Sequence, residues 1–433
     1  MNPADTNSRL TRRQWLGAAA ALGASAVLPR SAIAQASPWA NVTRLIQDYV
    51  GTRKVANMVA VLGFGAAEPG VLAGGVDSFT RPRRAAADSI YRLYSMTKPV
   101  TGMAAIALID EGKLGLDQPL HEILPAFRTM RVQRRYDGPL TADNLEPAAR
   151  PITIRHLLTH TAGLGYGIVQ TGPIAQAYRD RGILPGNFTR LQALLPMFRG
   201  TPAPSLTAFA DRLAELPLVY QPGTRWSYSM GLDVIGRVIE VVSGQPFARF
   251  LQDRFFDPLA MADTGFRADP AKAARLTDNY YLLGDTLLPI DLGENSIFFA
   301  PQPVAYGGAG LAGTPRDYDR FLRMLIGGGT LGRTRVLSAA AVRLGMSDLL
   351  PATLLPGGEY GTAWGFGAGG RVGRGADAGV FGWAGAAGTI GFVHAGLGLR
   401  AGLYTQYMPA TAYPLLEQFP AAVRADLAAQ GRL

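Results

Sequence analysis

The sequence has 433 residues, of which 48% are hydrophobic and 17% charged, as is typical of a globular protein large enough to bury a substantial core. The formal net charge is +10, but the basic residues are dispersed and no basic stripe interleaved with aromatics accompanies them, which argues against nucleic-acid binding. Cysteine is absent, so disulfides, thiolate metal sites and a cysteine nucleophile are excluded. No metal-ligand cluster is evident, and we expect neither a metal nor a cofactor.

The first 34 residues predict an export signal. Arg12 and Arg13 form a pair, residues 17–28 are a weakly apolar stretch, and residues 32–34 read small-x-small, as at a cleavage site. This order resembles a twin-arginine signal, so we expect a periplasmic or secreted mature protein. No later run approaches the ~18 apolar residues that a membrane span requires, and no stable membrane span is expected.

The rest of the chain predicts strands, then helices, then strands. Residues 55–64 and 71–76 favour strands, whereas 99–114, the patch at 155–158 and the stretch from Leu232 to Val242, which Gly244 can cap, favour helices. Thr314 and Pro315 indicate the start of another helix, through about residue 326. Short β-like runs follow at 363–367, 380–385, 389–394 and 399–407.

This order favours an α/β (α+β) fold, in which both chain ends build one antiparallel sheet flanked by helices and a helical region is inserted between them. We therefore predict a single domain over residues 35–433. Its α/β part comprises about 35–98 and 330–433, and its mainly helical part about 99–329. The polar segment 128–151 is interpreted as an excursion within the helical part.

Ser95 and Lys98 form a Ser-x-x-Lys pattern directly before an apolar helix. Residues three apart share a helix face, so Ser95 at the helix N-terminus would have Lys98 one turn on. A serine hydroxyl needs a nearby base, and a lysine can serve if burial keeps it neutral, whereas arginine stays protonated. The pattern alone is weak, because a solvated helix start can also carry both residues. The chain has only four lysines and otherwise takes its positive charge from arginine, so the lysine at position 98 favours a role that arginine could not fill.

Further motifs give this pattern its weight. One match runs from Tyr228 to Phe266 and begins with Tyr228-Ser229-Met230 just before an apolar helix. Others lie at 156–164, at 307–318 and at 381–389, which contains Trp383-Ala384-Gly385. With these motifs, nearly the whole mature chain resembles the class C β-lactamase-related serine hydrolases, and most closely their carboxylesterase branch, the family VIII esterases.

The resemblance implies a β-lactamase/penicillin-binding transpeptidase-like fold and a set of catalytic roles. Ser95 would be the nucleophile, Lys98 its base and Tyr228 the phenol that passes the proton to the leaving group. The backbone N–H groups of Ser95 and Ala386 would form the oxyanion hole. Trp383, Ala384 and Gly385 would border the substrate cleft.

Two departures from the family pattern favour a small-molecule ester as substrate. β-Lactamases and penicillin-binding enzymes carry Tyr-x-Asn and Lys/His-Thr/Ser-Gly, whereas this chain has Met230 and Trp383 at the Asn and Lys/His positions. Without the polar side chains that bind the polar groups of a lactam, the site loses its preference for such substrates. Met230 and Trp383 suit an apolar acyl or alcohol group instead. We therefore expect short-chain ester cleavage through an acyl-Ser95 intermediate.

Alternative interpretations remain open. The same fold could act as a β-lactamase, D-amino-acid peptidase or amidase, or as a non-catalytic penicillin-recognising protein. A Ser-His-Asp triad is disfavoured because no Gly-x-Ser-x-Gly elbow occurs, and His156 and His160 are interpreted as packing and hydrogen-bonding residues. Residues 308–313 match Gly-x-Gly-x-x-Gly but lack the βαβ context of a dinucleotide site. The sequence leaves acyl chain length and oligomeric state open.

Overall fold

The computed structural model of the protein describes residues 38–192, 195, 198–351, 354 and 363–433. The predicted signal at residues 1–34 lies outside the described residues. The helices named below are α1 (Ala40–Gly51), α2 (Thr97–Asp110), α3 (Ile154–Leu158), α4 (Pro173–Asp180), α5 (Leu206–Ala214), α6 (Gly231–Ser243), α7 (Phe247–Leu251), α8 (Pro315–Ile326), α9 (Ala339–Gly345) and α10 (Leu415–Ala429). The strands are β1 (Asn57–Phe64), β2 (Gly70–Gly75), β3 (Tyr91–Arg92), β4 (Arg131–Gln133), β5 (Leu145–Pro147), β6 (Asn279–Leu283), β7 (Thr286–Asp291), β8 (Ala312–Gly313), β9 (Thr330–Leu331), β10 (Thr334–Arg335), β11 (Gly365–Phe366), β12 (Arg371–Val372), β13 (Val380–Gly385), β14 (Thr389–His394), β15 (Leu399–Tyr404) and β16 (Tyr407–Met408).

A seven-stranded antiparallel sheet joins the two ends of the chain, in the order β11-β12-β13-β14-β15-β1-β2. Strand β1 pairs with β15, with Val59 opposite Tyr404, and on its other side with β2. Alternate residues of β1 point to opposite faces. Val59 therefore packs into the main core, while Met58 packs against α1 and α10. The predicted sheet built from both chain ends is confirmed.

Helix α2 lies at the centre of the inserted region. All of its residues from Thr97 to Leu108 are buried, and the helix packs against α6 and α9. Such all-round burial explains why this stretch is apolar on every side rather than on one stripe. Helix α6 ends where predicted, since Gly244 takes the left-handed conformation (φ +71°) that glycine adopts at low cost.

Helix α8 also begins as predicted, because the Thr314 side chain accepts a hydrogen bond from the Asp317 N–H at 3.1 Å. The segment 128–151 contains a short antiparallel pair formed by β4 and β5. Not anticipated were the terminal helices α1 and α10, or the hairpin of β6 and β7 within the mainly helical region.

The predicted strand at 399–407 was wrong in one respect. It divides into β15, which belongs to the large sheet, and β16, which pairs in parallel with β6. Between the two strands, the buried Gln406 side chain accepts from the Arg92 N–H and donates to the Arg92 carbonyl, both at 3.1 Å. These bonds tie this part of the chain to β3, which lies outside the large sheet.

Residues 39–433 form one compact unit. Among the residues described above, no helix is both long enough and apolar enough to cross a membrane.

Candidate active site

Ser95 lies in a short 3₁₀ turn, Tyr94–Met96, that runs directly into α2. Its side chain is only 8% exposed. The preceding residue, Tyr94, has a positive φ of +45°, a backbone state that costs on the order of 1–3 kcal/mol unless the surroundings impose it. Here they do, because the Tyr94 ring stacks on Phe188 with centroids 4.5 Å apart and its hydroxyl accepts a hydrogen bond from Asn279. The strained turn holds Ser95 at the start of the helix.

Lys98 follows one turn later and is completely buried. Its Nζ donates to Ser95 Oγ at 3.1 Å and to the carbonyl oxygen of Gly308 at 2.6 Å. The Ser-x-x-Lys spacing therefore brings the amine to the hydroxyl, and a backbone carbonyl fixes the far side of the amine.

Tyr228 reaches the same hydroxyl from the loop before α6. Its Oη donates to Ser95 Oγ at 2.7 Å and accepts a hydrogen bond from Trp383 Nε1 at 3.2 Å. Lys98 Nζ lies 4.5 Å from the centre of the Tyr228 ring. The structure thus brings Ser95, Lys98 and Tyr228 together, with Trp383 directing the phenol.

Strand β13 carries the predicted cleft motif alongside the Ser95 turn. Gly385 is required by this approach, because a Cβ at that position would collide with the carbonyl oxygen of Leu93. Ala384 precedes it in the strand, and Ala386 follows in the turn to β14, half-buried and packed against the cluster that contains Tyr94. Ala386 is therefore placed beside the nucleophile turn, and its predicted role in the oxyanion hole stays a prediction.

Met230 is placed differently from the prediction. Its side chain is 0% exposed and belongs to the main hydrophobic core, while its backbone N–H donates to the Gly165 carbonyl at 3.2 Å. Helix α6 begins at the next residue. Because its side chain is fully buried, Met230 is a core residue and offers no surface to a substrate.

His160 and His156 use their ring nitrogens elsewhere. His160 Nδ1 accepts from the Ser229 N–H at 3.2 Å, and burial, assisted by Lys98, holds the pKa of this imidazole well below its usual range. His156 Nδ1 accepts from the Thr153 N–H at 3.2 Å in a capping box at the start of α3, and burial lowers its pKa to about 4. Both histidines are packing and hydrogen-bonding residues, as predicted.

An aromatic wall surrounds Tyr228 and was not foreseen. It consists of Tyr166, Trp226, His160 and Trp383, whose ring centres lie between 4.8 and 6.2 Å from that of Tyr228. Only Trp383 among these was assigned to the cleft from the sequence. His160 was interpreted as a packing residue within the matched stretch 156–164, and Tyr166 and Trp226 received no role.

Asp233 was also missed. It lies in the first turn of α6, five positions after Tyr228, where its carboxylate accepts from the Gly308 N–H at 2.8 Å. Its signal in the sequence is an acid placed within a run of apolar residues that forms a buried helix. Across the described part of the chain, no group of His, Asp or Glu side chains is arranged to hold a metal ion.

The family model described as Beta-lactamase matches residues 42–419. The chain belongs to the beta-lactamase family. Among curated relatives, esterase EstB from Burkholderia gladioli is 34% identical over 352 residues, covering 75% of this chain and 79% of EstB. Protein Rv1367c from Mycobacterium tuberculosis is 38% identical over 264 residues, and this match spans 61% of the chain and 60% of the length of Rv1367c.

Solved structures agree with the family. EstCE1, described as a hydrolase with promiscuous acyltransferase activity, has a TM-score of 0.70 and 25% identity, covering 88% of this chain and 97% of EstCE1. Simvastatin synthase LovD from Aspergillus terreus has a TM-score of 0.71 at 22% identity, covering 92% and 99% of the two chains, and shows the shared fold. The predicted fold class and the resemblance to β-lactamase-related esterases are confirmed.

Proposed function

We propose that this beta-lactamase-family protein is a serine hydrolase that cleaves short-chain carboxylic esters through an acyl-Ser95 intermediate. The observation that carries the proposal is the double contact at the nucleophile. Ser95 Oγ lies 3.1 Å from Lys98 Nζ and 2.7 Å from Tyr228 Oη, both within the reach that proton transfer needs.

The first step would be acylation. Ser95 Oγ attacks the ester carbonyl while its proton passes to Lys98, and the N–H groups of Ser95 and Ala386 stabilise the oxyanion. As the intermediate collapses, the carbon–oxygen bond to the alcohol breaks, and the alcohol oxygen takes a proton through Tyr228. The acyl group stays on Ser95.

Water would complete the cycle. The pair of Lys98 and Tyr228 takes a proton from the attacking water, the acyl–Ser95 bond breaks, and Ser95 Oγ recovers its proton as the acid leaves. The same residues thus act as base in one half of the cycle and as acid in the other.

Two features support esters over lactams. The strand position that carries a basic residue in lactam-recognising enzymes is occupied by Trp383, whose indole N–H is directed to Tyr228. The half-buried rings of Trp226, Tyr228 and Trp383 suit apolar acyl or alcohol groups. The names of EstB and of the lovastatin esterase of Penicillium rubens, 31% identical over 244 residues, describe the same chemistry in relatives.

The test uses purified protein with p-nitrophenyl acetate and p-nitrophenyl butyrate. We expect turnover by the wild type and a loss of at least about a thousandfold in Ser95→Ala, because the nucleophile is removed. Ser243→Ala, at the end of α6, is the matched control and should retain activity. Undiminished turnover in Ser95→Ala would contradict the assignment.

A chromogenic cephalosporin measured beside the ester separates the alternatives. Lactam hydrolysis at a comparable kcat/KM would favour β-lactamase or amidase function. If neither substrate is turned over and a fluorophosphonate fails to modify Ser95, the non-catalytic binding protein is the better interpretation.

A further inference from the structure

Asp233 is a buried acid close to the catalytic lysine. Its side chain is 1% exposed, yet only one of its carboxylate oxygens has a hydrogen-bond partner within the described residues. Oδ1 accepts from the Gly308 N–H at 2.8 Å, and Oδ2 accepts from none. Buried carboxylates are expensive unless a positive charge or further donors compensate them, so such a group calls for a functional explanation.

The backbone of Gly308 connects this acid to Lys98 through two successive peptide groups. Its N–H points to Asp233, and its carbonyl oxygen accepts from Lys98 Nζ at 2.6 Å. A side chain at position 308 would not fit, because its Cβ would lie 2.9 Å from Asp233 Oδ2. Thr101 fixes the other end of the peptide group that carries the Gly308 N–H, by donating to the Gly307 carbonyl at 2.8 Å. The glycine-rich stretch at 308–313 therefore serves a close approach between α6 and the lysine.

Few titratable groups surround the contact of Asp233 and Lys98 with Gly308. Burial raises the pKa of Asp233 to about 6, an effect that Lys98 and the Gly308 N–H oppose, so Asp233 is mostly a carboxylate at neutral pH. Tyr166 and Tyr306 face the same space, and burial raises the pKa of both phenols above the usual range. His160 faces Lys98 and its pKa is lowered by burial. These three side chains are neutral at neutral pH, whereas Asp233 is negative.

We propose that Asp233 is a positioning residue that acts on Lys98 through the backbone of Gly308, orienting the amine toward Ser95 and balancing the positive charge that Lys98 gains when it takes the Ser95 proton. Asp233 gains and loses no proton in this step. The proton leaves Ser95 Oγ, arrives on Lys98 Nζ, and later passes to the leaving alcohol through Tyr228. The inference rests on the proposed function, because it assigns a partner to the base used there.

The test is Asp233→Asn, which keeps an acceptor for the Gly308 N–H but removes the charge. We expect kcat for p-nitrophenyl butyrate to fall on the order of ten- to a hundredfold, since the lysine ammonium loses its balancing charge in the transition state. KM should change little, because Asp233 lies beneath the site. The acidic limb of the kcat/KM profile should move to lower pH by roughly one to two units. The reason is that neutral Lys98 forms more readily once the nearby negative charge of Asp233 is removed.

Asp426→Asn is the matched control, because Asp426 is equally buried but only ties α10 to α1 through the Asn41 and Val42 N–H groups. This variant should lose stability and keep the wild-type pH limb. If Asp233→Asn loses activity with an unchanged limb, or a limb that moves to higher pH, Asp233 is merely structural and the inference is overturned. If circular dichroism shows that Asp233→Asn is unfolded, Asp233→Ser provides a smaller uncharged side chain for the same measurement.

A second readout separates this inference from the proposed function. The rate at which a fluorophosphonate modifies Ser95 is measured against pH in the wild type and in Asp233→Asn. A shift of the limb in this labelling, without ester turnover by the wild type, would support the role of Asp233 and refute the esterase. Ester turnover with coincident labelling profiles would refute the role of Asp233 alone.

Discussion

Tyr228→Phe removes one oxygen atom from the centre of the candidate site. That oxygen makes two hydrogen bonds, to Ser95 Oγ at 2.7 Å and from Trp383 Nε1 at 3.2 Å. The ring itself, which contacts the aromatic wall and Lys98, is retained. If Tyr228 transfers the proton to the leaving group, kcat for p-nitrophenyl butyrate should fall by about 10²–10⁴-fold, which corresponds to about 3–5 kcal/mol of transition-state free energy. KM and thermal stability should change little.

Tyr166→Phe is the control for this measurement. Tyr166 belongs to the same aromatic wall, with its ring centre 5.2 Å from that of Tyr228, but its hydroxyl makes only a long hydrogen bond of 3.4 Å to the Pro185 carbonyl. Its loss should reduce kcat less than about tenfold, because a weak neutral hydrogen bond contributes about 1 kcal/mol. A Tyr228→Phe enzyme with kcat within a few-fold of wild type, or no more impaired than Tyr166→Phe, would refute a role for the phenol in proton transfer.

Two further predictions concern Trp383 and the buried ion pair of Arg92. Trp383→Phe keeps an aromatic ring but removes the N–H that directs Tyr228, so steady-state kinetics should show kcat about tenfold lower; an unchanged kcat would mean that the phenol is directed by other contacts. Arg92 is fully buried and donates to Asp291 at 2.7 Å. Arg92→Met leaves the buried Asp291 carboxylate without its positive partner, so the free energy of unfolding measured in urea should fall by about 3–5 kcal/mol. Adding Asp291→Asn should restore part of this loss. A loss below about 1 kcal/mol would show that the pair contributes as little as an exposed one.

The sequence predicted those parts of the fold that local patterns determine. Helix α6 could be placed because apolar residues recur at helical spacing and Gly244 ends it, and α8 because Thr314 and Pro315 mark its start. The division between β15 and β16 could not be predicted, since it is defined by their pairing with different strands, β1 and β6, which lie far away along the chain. Periodicity does not contain such information.

The residues of the candidate site were likewise predicted where local motifs mark them and missed where they do not. Ser95, Lys98 and Tyr228 were found because their spacing and neighbours form motifs, and the structure places all three around one oxygen atom. Met230 was assigned to the cleft from its position in a motif, but the direction of a side chain depends on the helix that follows it. Asp233 lies within the matched stretch from Tyr228 to Phe266 but received no role from it, because its relation to Lys98 exists only once Gly308 folds between them.

The pairing of β1 with β15 determines when this enzyme can fold. Strand β1 is made before residues 65–398 and its neighbour β15 only after them, so all of this intervening chain must be present before the two strands can pair. Contacts between such distant segments are slow to form, and until then β1 presents an unpaired, apolar edge on which chains can associate. Since β13 also packs beside Ser95, a chain that ends before these last strands should aggregate rather than yield a smaller active enzyme.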